Sequence, residues 1–348
     1  MSKIYFIRFI IILSGLFLVE CSTDFDTTAE PKEILVVYGT LNPQQPAQII
    51  KIAQAFLTDG DAIIYAKNND ISIKSLTVVL EDNKGTIIAM ESVDASMDIN
   101  GLWYPHQTIY KTKDSIHPGR TYYLKIKKQG ESELRTIART TVPNTPYIIR
   151  PQEIDTIIAP RKRIAAAFEQ AFPVGFAHTE YNANENPPKV SFGYEVRLYF
   201  NYGYLQSVGD TLWQPELRIG PISMIRDSDD PQCNFGTHCY QFKKREVIDF
   251  LNRRIDCGRK PVIRNGYFDD AVRVEVTAID TFLYNYVYIN NSSASSFVSI
   301  RPEYTNVVGG VGVFGSINTK SHFVRLNNCS LHLACFNNEP NPSPSGCK

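Results

Sequence analysis

After a turn at Pro118-Gly119 the chain reads Thr121-Tyr122-Tyr123-Leu124-Lys125-Ile126. Apolar and polar residues alternate there, and side chains that change face at every step belong to a half-buried strand. Tyr122, Leu124 and Ile126 then share the inner face. The pattern recurs upstream. Ile34 to Tyr38, Gln48 to Phe56 and Leu76 to Leu80 read as strands. Asp82-Asn83-Lys84-Gly85 reads as a hairpin turn, with Gly85 free to take positive φ, and Thr86 to Met90 returns as the partner strand. Tyr and Phe contribute 19 residues each, which favours strands further. The expected fold class is mainly β.

Val142-Pro143-Asn144-Thr145-Pro146 is a stiff, turn-rich linker. It divides a first unit, residues 33–143, from a second at about 150–338. In the second unit Val196 to Phe200 and Val272 to Val276 alternate as strands. Lys244 to Ile255 places Val247, Ile248 and Leu251 on one helical face, and Asp280 to Tyr288 reads as another helix with a stripe of Phe282, Tyr286 and Ile289. The expectation is a larger, mainly-β domain with one or two helices. In the first unit, Ile116 to Ile126 resembles the segment of fibronectin type III and related Ig-like domains where a Pro-Gly turn leads into the tyrosine-corner strand. That resemblance implies an N-terminal Ig-like β-sandwich. It makes Tyr122 the corner residue, its hydroxyl bonding back to the turn backbone.

The N-terminus carries an address. Lys3 and Arg8 form a positive segment, and Phe9 to Val19 runs apolar except for Ser14 and Gly15. That run is too short to span ~30 Å of hydrocarbon as a helix, but it suits a signal peptide over residues 1–20. Leu18-Val19-Glu20-Cys21 stands where a lipobox belongs, although Glu20 replaces the small residue usual before the cysteine. Cleavage before Cys21 and its acylation would anchor the mature chain to a membrane, with residues 21–32 as a polar tether. The expected location is the cell envelope, lipid-anchored at the outer membrane on its periplasmic or outer face.

Removing residues 1–20 takes Lys3, Arg8 and Glu20 from a chain of 36 basic and 36 acidic residues, leaving a net charge near −1. Nucleic-acid binding needs a basic footprint and is not expected. Six cysteines remain after Cys21: Cys233, Cys239, Cys257, Cys329, Cys335 and Cys347. In an exported protein an even set reads as disulfides, with the pairing left open. Cys233 with Cys239 and Cys329 with Cys335 would close small loops, and Cys257 with Cys347 would pin the tail at 339–348. No Cys-x-x-Cys is present, and His238 and His332 do not recur at ligand spacing, so no metal is expected.

Tyr38-Gly39-Thr40-Leu41-Asn42-Pro43, then Ile50-Lys51-Ile52 and Ala55-Phe56-Leu57, then Tyr304-Thr305-Asn306-Val307 to Phe314-Gly315-Ser316 resemble Bacteroidota lipoproteins grouped as a domain of unknown function. The resemblance covers nearly the whole mature chain. It implies an exported lipoprotein with an N-terminal Ig-like domain and suggests a TonB-dependent outer-membrane receptor as partner. Asp114-Ser115-Ile116, Asp155-Thr156-Ile157 and Asp210-Thr211-Leu212 resemble the acceptor of Bacteroidota O-glycosylation, which implies Ser115, Thr156 and Thr211 as modification sites.

Catalytic signatures are weak. Gly310-x-Gly312-x-x-Gly315 has the dinucleotide spacing, but Ser316 to Ser321 is a poor helix start. The segment reads instead as a glycine-rich turn where backbones approach closely, and no cofactor is expected. Asp227-Ser228-Asp229-Asp230 lacks the Gly and Glu of a calcium loop and reads as a solvated acidic loop. Trp103-Tyr104 offers a platform for a glycan, or cover for a sandwich edge. Neither Gly-x-Ser-x-Gly nor His-Glu-x-x-His occurs. The reading is a binding or accessory module rather than an enzyme, its ligand a glycan or a peptide. A structural or adhesive surface protein and an envelope hydrolase are the alternatives.

Overall fold

Period-two alternation yields strands throughout the computed structural model. It describes residues 34–56, 61, 64–65, 68–73, 75–95, 107–150, 171–178, 193–207, 210–220, 225–226, 238–259, 261–263, 272–293 and 304–324. The first half holds β1 (Leu35–Leu41), β2 (Gln48–Gln54), β3 (Leu76–Asp82), β4 (Ile87–Ala95), β5 (Gln107–Thr112), β6 (Thr121–Lys128), β7 (Thr136–Thr141) and β8 (Pro146–Arg150). The second holds β9 (Ala171–His178), β10 (Gly193–Phe200), β11 (Tyr202–Ser207), β12 (Asp210–Trp213), β13 (Leu217–Ile219), β14 (Ile225–Arg226), β15 (His238–Lys243), β16 (Pro261–Ile263), β17 (Val272–Ile279), β18 (Val307–Val308) and β19 (Gly310–Val324). Helices α1 (Lys244–Arg254) and α2 (Thr281–Ser293) lie among them. The fold is mainly β, and no helix among the described residues is long and apolar enough to cross a membrane.

One hydrogen-bonded path runs β13-β10-β17-β19-β1-β2-β5-β4-β3-β6-β7-β18. Strand β4 carries it from one layer to the next, with Ile87 to Met90 pairing β3 and Glu91 to Ala95 pairing β5. Between these layers lies a first core. Leu35, Val37, Ile50, Ile52 and Tyr110 meet Val78, Leu80, Leu124, Ile126 and Ala138 there, and Val307 and Phe314 complete it from β18 and β19. The first core therefore contains side chains from both ends of the sequence. A second core gathers the inner faces of β10 and β17 with Phe176, Phe242 and the Val247, Leu251 and Ile255 stripe of α1.

The hairpin at Asp82–Gly85 forms as expected, and Gly85 takes φ 85°. Tyr122 is fully buried, and its hydroxyl accepts the His117 backbone N–H at 2.9 Å. Leu124 and Ile126 are fully buried on the same face. Two expectations need correction. The Gly310–Gly315 segment is not a turn but the start of β19, which pairs in parallel with β1, Leu35 opposite Gly310 and Val37 opposite Gly312. Glycine is required because a Cβ on Gly312, at φ 114°, would sit 2.1 Å from the Val37 carbonyl oxygen. Helix α2 forms, but among its described side chains the buried one is Tyr284 rather than Phe282, Tyr286 or Ile289. Apolar and aromatic side chains on nearly every side of α2 blur the stripe.

Candidate functional site

The outer face of β10, β17 and β19 is as polar as the inner face is apolar. Tyr194, Val196, Leu198 and Phe200 of β10 and Val272, Val274 and Val276 of β17 are buried inside. The intervening Glu195, Arg197, Tyr199, Arg273, Glu275 and Thr277 must then project outward. Register sets Arg197 opposite Glu275, Tyr199 opposite Arg273, and Thr277 opposite Thr319.

These neighbours pair across strands. Arg197 is ion-paired with Glu195 and stands 3.9 Å from Glu275. Arg273 donates to Glu275 and to Glu216, each at 2.7 Å, and lies over the Tyr199 ring at 3.9 Å from its centre. Tyr199 donates its hydroxyl to Glu275 at 2.8 Å. Burial, reinforced by the Glu275 carboxylate, pushes the Tyr199 hydroxyl up, so it stays protonated as a donor. Burial works against the Arg273 charge, but Glu216 and Glu275 outweigh it and raise its pKa. The result is a rigid, charge-balanced floor.

A groove of about 930 Å³ opens on this floor. One wall is the turn after β1, where Asn42, Gln44 and Gln45 line it. Buried Gln48 locks that turn, accepting the Asn42 N–H at 2.8 Å and donating to the Asn42 carbonyl at 2.9 Å. Fully buried Asn318 holds the neighbouring segment, donating to the Pro143 carbonyl at 2.9 Å and to Thr145 at 3.0 Å. The other wall is apolar, formed by Leu283 and Val287 of α2.

Asp280 fixes the start of α2. Its Oδ1 accepts the Leu283 N–H at 2.9 Å, which is N-cap geometry. Its Oδ2 accepts the Thr140 hydroxyl of β7 at 2.6 Å, and Thr140 lies 2.7 Å from the Ser316 hydroxyl of β19. Burial pushes the Asp280 carboxyl up to about 6, against the Thr140 hydroxyl and the backbone N–H groups of Leu283, Ser316 and Phe282. A smaller cavity of about 360 Å³ is lined by Tyr123, Phe282 and Tyr304 with Asn306. Asn306 is already committed there: it donates to the Phe314 carbonyl at 2.7 Å and accepts the Phe314 N–H at 2.9 Å.

The residues singled out by sequence lie elsewhere. Ser115 is exposed ahead of β6, and Thr211 is half-buried in β12. Cys239 stands on β15 opposite Gly175, and Cys257 opens an exposed turn after α1. Neither Ser115, Thr211 nor Cys257 lines the groove. Cys21, Thr156, Cys233, Cys329, Cys335, Cys347, Trp103-Tyr104 and Asp227–Asp230 lie outside the described residues. Among the described residues no three His, Cys, Asp or Glu side chains are placed to hold a metal ion. Sequence reasoning missed the groove itself. Its signal was present as Arg and Glu at alternate positions of two strands, each otherwise apolar.

Comparison with protein families matches residues 20–322 to a domain of unknown function, DUF4249. Among solved structures, the chain is similar to the crystal structure of a DUF4785 family protein from Legionella pneumophila. The identity is 12% and the TM-score 0.22, covering 70% of this chain and 52% of that one. The chain thus spans about half the length of that structure. No curated protein matches it.

Proposed function

We propose, from the premise that this chain belongs to the DUF4249 family, that it is a lipid-anchored envelope protein of the Bacteroidota which binds a ligand in the groove on β10, β17 and β19. The anchor in this reading is Cys21, exposed by removal of residues 1–20, and residues 21–32 are its tether. Residues 33–143 are read as an Ig-like domain, a reading supported by the bond between Tyr122 and the turn backbone at His117. The six remaining cysteines are read as disulfide partners, and Ser115, Thr156 and Thr211 as glycan acceptors. A TonB-dependent receptor is the proposed partner at the outer membrane.

The observation that carries the binding role is the state of the groove's charges. Glu195, Arg197, Glu275 and Arg273 are already paired with one another. Such a lattice holds its side chains in one geometry, which suits recognition. A general acid would need a proton to give and a general base a free lone pair to take one, and these groups are committed to each other.

Two measurements test this. Mass spectrometry of the mature N-terminus should find acylated Cys21, and Cys21→Ala should release the ectodomain or leave it uncleaved, still folded. An unmodified N-terminus at another residue removes the anchor. Affinity capture from outer membranes should recover a receptor with a monomeric form of this protein. Recovery of self-associated polymers instead would favour the adhesive reading.

A further inference from the structure

We propose that the groove's ligand is a neutral oligosaccharide, an inference that rests on the groove being the binding site. Three features of the lining point to it. First, the floor strands β10, β17 and β19 are interior in the sheet, between β13 and β1. Strand β17 is paired along its whole length by β10 on one side and β19 on the other, so the middle of the floor offers side chains, and not the open edge by which a sheet usually captures an extended peptide. Recognition falls to side chains.

Second, those side chains are hydroxyls and amides. Thr40, Thr145, Thr319 and Ser321 line the groove with Gln44 and Gln45. Each of these groups both donates and accepts hydrogen bonds. Sugar hydroxyls have the same dual character, so a ring of them can be satisfied without any change of charge. Apolar Leu283 and Val287 on the opposite wall give the C–H face of a sugar ring a surface to cover.

Third, the charge closes to zero. On the floor Glu195, Glu216 and Glu275 are balanced by Arg197, Arg218 and Arg273, while Lys320 stands opposite Val276, in the register of the inner face. Arg197 is already engaged by Glu195. The carboxylates and guanidiniums of the floor answer one another, which leaves neither sign there to draw an acidic sugar or a basic ligand. A volume of about 930 Å³ lies at the upper end of the ~300–1,000 Å³ of ordinary ligand sites, which leaves room for several sugar units.

The test is a binding screen of the folded ectodomain against three sets of probes: neutral hexose and pentose tetrasaccharides, the same backbones carrying uronic acid or sulfate, and a tetrapeptide panel. Neutral tetrasaccharides should bind. Ser321→Trp, which fills the groove, should abolish that binding, and Gln45→Ala on the exposed turn should weaken it about tenfold or less, a loss of up to about 1.4 kcal/mol, with the melting temperature unchanged. Binding of the acidic sugars or peptides alone, blocked by Ser321→Trp, would overturn the neutral-sugar inference and leave the groove as the site. Neutral-sugar binding indifferent to both substitutions would place the site elsewhere and overturn both readings. Binding of no probe by the folded wild-type protein would overturn the inference as well.

Discussion

Asp280 and its neighbours show how one residue can set the behaviour of an element. Three close contacts link Asp280 to Thr140, Thr140 to Ser316, and Ser316 to the Thr141 carbonyl. Thr140 is the donor to Asp280, and burial outweighs it and pushes the Asp280 carboxyl up to about 6. Its folded pKa lies above the ordinary 3.8, so the stability it contributes is complete below about 3.8 and is lost as pH rises through about 6. The loss should be on the order of 3 kcal/mol. Denaturant melts from pH 4 to 7 should show this decline, and Asp280→Asn should flatten it. Asp82 behaves in the opposite sense. Burial works to raise it, but the N–H of Thr86, the Arg120 guanidinium and the N–H of Lys84 hold it down at about 2. Its contribution is present above 3.8 and fades only toward pH 2, outside the Asp280 window. At Gly312 a Cβ would strike the Val37 carbonyl at a positive φ. Gly312→Ala should therefore cost about 3 kcal/mol, read as a shift of the denaturation midpoint. Gly85 and Tyr122 were legible in the sequence because their partners lie within a few residues. Asp280 and Gly312 were not, because Thr140 and Val37 are far away along the chain.

Helix α1 offers a contrast within one element. Leu251 is fully buried, while its neighbour on the same stripe, Ile248, is only half-buried. Leu251→Ala should destabilise by about 3 kcal/mol and Ile248→Ala by about 1 kcal/mol, measured by urea unfolding. Equal losses would mean that α1 does not seal the second core through the Val247-Leu251-Ile255 stripe. The sequence made α1 legible because its apolar residues recur at helical spacing against charged neighbours. It made β3, β4, β6, β10 and β17 legible through strict alternation. Strand β19 was read as a turn because three glycines remove the side chains that would have shown the alternation. Their function there is close backbone approach to β1 and to α2, where a Cβ on Gly315 would lie 2.7 Å from Leu283. The groove stayed hidden for a related reason. Arg197, Arg273 and Glu275 look like any solvated strand face until register sets them side by side.

At the scale of the molecule, sequence suggested two units joined at Val142–Pro146, and composition supplied no hint of the strand that ties the ends together. A chain ending at Val142 lacks Phe314 and Val307 from its core and the whole β19 partner of β1. Such a chain should bind a hydrophobic dye and melt without cooperativity; a sharp unfolding transition would refute the shared core. The parallel register that puts Leu35 beside Gly310 also has a meaning in time. A ribosome adding about 5–20 residues each second needs on the order of tens of seconds to travel from one to the other. Through that interval β1 waits with an open edge, so its layer stays unfinished while the chain is still being made. A product stalled or nicked before Val307 never closes that edge, and proteases can tell it from the complete molecule.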